Sequence, residues 1–119
     1  ARFAGNITIG GHIITAGGEP TSQTQTAAGG SAVVNVSGTD TTGTITITTG
    51  SNPTAGELAK ILFSATYDNA PHIVLSPSND KAAALQFYKG ATSATDFMLD
   101  AIDAPQANTT YQFDYFIAQ

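Results

Sequence analysis

The sequence contains no cysteine and no tryptophan, and it has only four cationic side chains. Without cysteine, neither a disulfide framework nor a thiolate metal site can form. The cations are Arg2, Lys60, Lys81 and Lys89, and the net charge is −5. Such a chain has no surface that would neutralise a run of phosphates or bind an anionic membrane. Nucleic acid and lipid headgroups are therefore not expected as partners.

Long apolar runs are also missing, since no stretch of about twenty apolar residues occurs and membrane insertion is not expected. The opening residues ARFAGNITIGG lack the charged start and the apolar run of a signal peptide. Charged residues make up only 11% of the chain, so Thr, Ser, Asn, Gln and Gly must cover most of its surface. The 119 residues are enough for one domain with a core of its own.

The motifs that mark common catalytic sites do not occur. There is no Gly-x-Ser-x-Gly motif, phosphate-binding loop or Cys-His pair. His12 and His72 lack the spacing of zinc ligands, so we interpret them as surface or interface residues. The acidic residues are scattered, whereas a calcium site needs them clustered in loops. The sequence therefore predicts a protein that is not an enzyme and has neither cofactor nor bound metal.

Alternation between apolar and polar residues predicts that the chain consists of β-strands. Across residues 43–50, Ile45 and Ile47 fall on one face, and Thr44, Thr46 and Thr48 fall on the other. Threonine suits an exposed face, because its β-branched side chain fits the pleat while its hydroxyl faces water. Similar signals predict strands over 32–38, 57–67, 71–77, 85–88, 94–103 and 109–119.

Two stretches also allow a helix. Residues 57–67 have helical propensity, but the period of two holds over five positions and turn signals bracket it, so a strand is favoured. Before the strand at 85–88, Ser78 or Asn79 would cap one helical turn through Ala84. A turn is favoured there.

Seven short strands at a spacing of about ten residues predict an all-β fold, an antiparallel sandwich or a jelly-roll-like domain over residues 32–119. The more apolar face of each strand predicts the core. Its expected members are Ile45, Ile47, Ile61, Phe63, Ile73, Leu75, Leu85, Phe87, Phe97, Leu99, Phe113, Tyr115 and Ile117.

The start of the chain differs from this domain. The stretch GNITIGGHIIT predicts that residues 1–15 form an extended strand segment used for assembly. Residues 16–31 hold four glycines, a proline and no large apolar side chain, which predicts a flexible, solvated linker.

A strand on a tether suits pairing with the open sheet edge of another subunit. The expected assembly interface consists of Ile7, Ile9, Gly10, Gly11, His12, Ile13 and Ile14. Insertion into the next subunit would give head-to-tail contacts and a homopolymeric filament. Winding of three copies would instead give a trimeric fibre neck, and the filament is favoured.

Tyrosines offer one alternative function. Tyr111 and Tyr115 share a face with Phe113, which predicts that they belong to the core. Tyr67 and Tyr88 lie near strand ends and are the candidates for an exposed patch that binds a cell-surface glycan. The absence of tryptophan weakens this interpretation.

The order of these motifs resembles a known type of module. The segments GNITIGGHIITAGGEPT, VSGTDTTGTITITTG and the closing ANTTYQFDYFIAQ are similar to β-rich modules of bacterial surface proteins and phage tail-fibre-like proteins. The resemblance implies an extracellular location, on a cell surface or a phage particle, and a structural or pilus-like role. It also implies the alternative of a receptor-binding or carbohydrate-binding tip domain on a trimeric tail fibre.

Overall fold

A computed structural model describes residues 2–119, and its eight strands form a sandwich of two four-stranded antiparallel sheets. The predicted all-β sandwich is therefore confirmed. The strands are β1 (Thr21–Thr24), β2 (Val33–Gly38), β3 (Thr42–Thr48), β4 (Gly56–Leu62), β5 (His72–Pro77), β6 (Phe87–Thr92), β7 (Asp96–Ala101) and β8 (Thr110–Ala118).

One sheet has the order β1-β4-β7-β6 and the other has the order β2-β3-β8-β5. Each sheet contains one hairpin, β6–β7 in the first and β2–β3 in the second. The connection from β5 to β6 carries helix α1 (Asp80–Ala84), so the one capped helical turn forms where a plain turn was favoured. Asn79 caps α1, because its side-chain oxygen accepts a hydrogen bond of 2.8 Å from the Ala82 N–H.

The pairing of β3 with β8 shows how alternation builds the sandwich. Ile45 lies opposite Phe113, and both side chains are fully buried between the sheets. On the outer face, Thr44 donates a hydrogen bond of 3.0 Å to the Asp114 carboxylate. Threonines therefore cover the solvent side of the strands whose apolar residues build the core, as predicted.

Strand β4 is shorter and less regular than the strand predicted over residues 57–67, because it ends at Leu62. A bulge between Glu57 and Ala59 shifts its register against β7. Leu58 and Ala59 are consequently both fully buried, although strict alternation places Leu58 on the outer face. A bulge adds one residue to the strand, which moves neighbouring side chains out of the simple period of two.

The flexible linker predicted for residues 16–31 is wrong from Pro20 onward. Residues 21–24 form β1, which pairs with β4, and Thr26–Ala28 form a short 3-10 turn. Pro20, Ala27 and Ala28 are buried against the domain. The small side chains pack closely, so this region is ordered without any of the large apolar residues that usually signal a strand.

Most of the predicted core is buried, but one part is not. Eight of the thirteen expected residues are buried: Ile45, Ile47, Ile61, Phe97, Leu99, Phe113, Tyr115 and Ile117. The other five are only half-buried: Phe63, Ile73, Leu75, Leu85 and Phe87. Phe63 follows the end of β4. The remaining four lie on β5, on β6 and in the turn that leads into β6, so these four half-buried residues lie on one side of the sandwich.

Candidate assembly site

Residues 2–14, here called the N-terminal segment, carry exposed apolar side chains outside the sandwich. The exposed fractions are 60% for Ile7, 52% for Ile9, 77% for Ile13 and 89% for Ile14. The segment forms no strand, so the predicted strand conformation is not adopted in a single chain. Such a concentration of exposed apolar side chains is typical of a surface that becomes covered by a partner.

The middle of the N-terminal segment is a bend formed by two adjacent glycines. The chain bends at Gly10 and Gly11, and a Cβ atom on either glycine would lie more than 4 Å from every described residue except its chain neighbours. His12 follows them and is exposed. All seven residues of the predicted interface therefore lie on one accessible stretch, in two apolar parts separated by the bend.

The base of the segment is fixed to the sandwich at Thr15. Its hydroxyl oxygen lies 2.7 Å from that of Thr39 in the turn between β2 and β3, which is a hydrogen bond. Farther along, a Cβ atom on Gly18 would collide with the side chain of Ser64. The chain therefore leaves the domain surface just before Thr15.

Four further hydrogen bonds hold the turn that contacts Thr15. The Asp40 carboxylate accepts hydrogen bonds from the backbone N–H groups of Ser64 (2.7 Å) and Ala65 (2.8 Å). The Tyr67 hydroxyl donates to the Asp40 carbonyl, and the Tyr115 hydroxyl donates to the Thr39 carbonyl at 2.6 Å. This turn is thus a rigid point from which the N-terminal segment extends.

The buried tyrosine under this turn predicts a pH dependence of stability. Burial raises the pKa of Tyr115 to about 12, and the nearby Asp40 carboxylate adds to the effect. In the unfolded chain a tyrosine titrates near pH 10, so between about pH 10 and 12 only the folded state keeps this proton. The free energy of unfolding should therefore be unaffected by this group below pH 10 and fall by roughly 2 kcal/mol as the pH rises to 12.

Urea denaturation of the intact chain and of Tyr115→Phe at pH 9 and pH 12 measures this effect. The phenylalanine variant should lose less stability over the interval, because it has no proton to release at this site. An equal loss in both proteins would contradict the assignment to Tyr115.

The two sides of the sandwich differ in how well they are closed. We call the side formed by Ile73, Leu75, Leu85 and Phe87 the open side, because these inward-facing residues are only half-buried. The strands that border it, β5 and β6, make sparse contact with each other. At the opposite side β1 lies close to β2, and the Ser22 hydroxyl bridges the two sheets by donating to the Val34 carbonyl at 2.9 Å.

The structure does not bring the two candidate tyrosines together. Tyr88 is exposed on β6 opposite Asp100, whereas the Tyr67 N–H donates to the Ala94 carbonyl beyond the other end of β7. About six residues of strand, roughly 20 Å, therefore separate the two positions. Tyr67 is also half-buried and packs edge-on against Phe63 at 4.9 Å. A shared sugar platform does not form in the single chain.

Tyr88 instead belongs to a small polar group on the outer face of its sheet. The negative charge of Asp100 raises the pKa of the Tyr88 hydroxyl. Asp100 is mostly buried, and its Oδ1 atom has no hydrogen-bond partner among residues 2–119. A Cβ atom on Gly90 would lie 2.6 Å from this carboxylate, so a larger residue at this position would displace the Asp100 side chain.

Sequence reasoning missed two features of this site, the anchoring role of the Thr39–Asp40 turn and the open side. An Asp in a turn after a glycine is a weak signal by itself. Asp40 is important because its carboxylate accepts hydrogen bonds from the backbone of Ser64 and Ala65, and these residues are distant in sequence.

The remaining surface offers little chemistry. A cavity of about 230 Å³ lies beside α1 and is lined by residues that include Lys81, Asp103 and Tyr111. No group of three or more His, Asp or Glu side chains in the described part of the chain is placed to hold a metal ion. No helix within residues 2–119 is long and apolar enough to cross a membrane.

Comparison with known proteins gives no family assignment. No protein-family model, no curated protein and no solved structure matches this chain.

Proposed function

We propose that this protein is the structural subunit of an extracellular filament, in which the N-terminal segment of each subunit pairs with the next subunit. One observation carries the proposal: four isoleucines on a short anchored segment are largely exposed in the single chain. Burial of one such side chain is worth about 1.5 to 3 kcal/mol, so several together provide a strong drive for association.

Three further features support a structural role. The strand surfaces are covered by threonine and other neutral side chains, and few charged residues are present. The resemblance to modules of bacterial surface and tail-fibre-like proteins points to the same kind of role outside the cell. The anchor at Thr15 gives each subunit one donor segment, and donation to the next subunit repeats without closing.

Removal of residues 1–14 tests this function. The shortened chain keeps Thr15, all eight strands and every buried residue, so it should fold as before but remain a monomer. Light scattering and electron microscopy would measure the loss of filaments, and circular dichroism would verify the fold. A matched control that lacks only residues 1–5 keeps all four isoleucines and should still assemble.

Two results would contradict the filament. Filaments that persist without residues 1–14 would show that the segment does not hold the subunits together. A discrete trimer formed by the intact chain would favour the neck of a trimeric fibre, and with it the receptor-binding tip domain.

A further inference from the structure

The incomplete side of the sandwich has the shape and chemistry to receive a strand. Ile73 and Leu75 point inward from β5, and Phe87 points inward from β6, yet none of the three is fully covered. Phe87 packs edge-on against the buried Phe113 at 4.7 Å, so this apolar surface continues directly into the core. A strand inserted beside β5 would complete the core at this position.

The backbone of β5 also has free hydrogen-bonding groups on this side. The Ser78 N–H donates to the Gln112 carbonyl, and the ladder between β5 and β8 continues from that pair in steps of two residues. In an antiparallel pair, alternate residues direct their backbone groups to opposite edges. Val74 and Ser76 therefore face β8, whereas the N–H and C=O groups of Ile73 and Leu75 face outward.

The opposite side is closed by comparison. The same reasoning, from the Thr39 N–H that donates to the Thr42 carbonyl, directs the backbone groups of Val34 and Val36 away from β3. Val36 is half-buried, but Val34 is buried and its carbonyl already accepts the hydrogen bond from Ser22. An added strand would therefore cover less apolar surface and find fewer free backbone groups on that side.

We infer that the open side, bordered by β5 and β6, is the acceptor for residues 6–10 of a second copy of this chain, with Ile7 and Ile9 inserted beside Ile73 and Leu75. This inference rests on the proposed function and adds the location of the acceptor. The two isoleucines are two residues apart, which is the spacing of Ile73 and Leu75, so both can face the groove from one strand. Thr8 then faces solvent, like the other threonines of the sandwich.

The length and the charge of the segment fit this site. β5 offers five residues between its flanking prolines, Pro71 and Pro77, and a five-residue stretch that ends at Gly10 matches that length. Prolines at these positions limit pairing to the window between them. Residues 6–10 contain no charged side chain, so no charge enters the apolar groove.

Disulfide cross-linking tests the location, because the chain has no cysteine of its own. Cysteine at Ile7 or Ile9 is combined with cysteine at Ile73 or Leu75, which gives four double variants that cover both registers. After assembly and oxidation, at least one variant should give a ladder of covalent oligomers on a denaturing gel. The matched control pairs Ile9→Cys with Val36→Cys on the closed side and should give only monomer.

The outcomes separate the acceptor from the function. A ladder only in the Val36 control, in variants that still assemble, would overturn the acceptor while the filament stands. Cross-links confined to the monomer band would show that the segment folds back on its own domain, which also overturns it. Failure of the intact chain to assemble would overturn the proposed function and the acceptor with it.

Hydrogen exchange on chains without cysteine gives a second measurement that does not depend on the folding of those variants. In the filament, the Ile73 or Leu75 amide should exchange about a hundredfold more slowly than in a full-length monomeric Ile7→Thr, Ile9→Thr variant. The Val36 amide should exchange at similar rates in both. Protection at Val36 with none at β5 would overturn the inference.

Discussion

A synthetic peptide of residues 2–15 should raise the melting temperature of the chain that lacks residues 1–14 by about 10 to 20 °C. Ligand at a hundred times its dissociation constant stabilises a folded protein by about 2.7 kcal/mol. For a domain of this size, each kcal/mol shifts the melting temperature by roughly 4 to 8 °C. The effect is large because the peptide would cover apolar surface on both partners, its own isoleucines and the half-buried residues of the open side.

Thermal unfolding followed by circular dichroism, with increasing peptide concentration, measures this shift. The matched control is the same peptide with Ile7→Thr and Ile9→Thr, which keeps length and β-branching but loses the apolar groups. That peptide should shift the melting temperature by no more than a few degrees. An equal shift with both peptides would show that the isoleucines do not provide the binding energy.

The second large effect concerns the core. Phe113→Ala in the chain without residues 1–14 should lower the free energy of unfolding by about 3 to 5 kcal/mol. Phe113 is fully buried on β8, between β3 and β5, and its ring contacts Phe87. Removal of the ring leaves a cavity that the surrounding strands, fixed by their ladders, cannot fill.

Phe116→Ala is the natural control, because Phe116 is the same residue type on the same strand. Its side chain is 56% exposed on the outer face, next to Val74 of β5. Urea denaturation should show a loss below about 1 kcal/mol for this variant. Similar losses for the two variants would mean that the register of β8 is wrong.

The parts of the fold that could be predicted are those where burial follows a strict period of two. β3 and β8 alternate over most of their length, and the residues predicted for the core on these two strands are buried as expected. β1 has no large apolar residue, so nothing in its pattern distinguishes an edge strand from a linker. The bulge in β4 was missed because a single extra residue depends on the pairing partner, which sequence periodicity does not reveal.

The candidate assembly site also has one part that could be predicted from the sequence and one part that could not. The exposed isoleucines of the N-terminal segment stand out in the sequence, because a glycine-rich and threonine-rich stretch separates them from the domain. The open side does not stand out, since Ile73, Leu75 and Phe87 have the pattern of ordinary core residues. Whether a neighbouring strand covers such a face depends on the order of strands in both sheets, and alternation within one strand carries no information on that order.

The bridge from Ser22 to Val34 would limit each subunit of the proposed filament to one acceptor groove. A sandwich with both sides open would accept two donor strands, and its polymers would branch into a network. Because one side is closed, each subunit of the proposed filament would donate one segment and receive one. Such a filament would be linear and polar, with an unfilled groove at one tip and a free isoleucine-rich segment at the other, so a molecule that caps either tip would stop growth there alone.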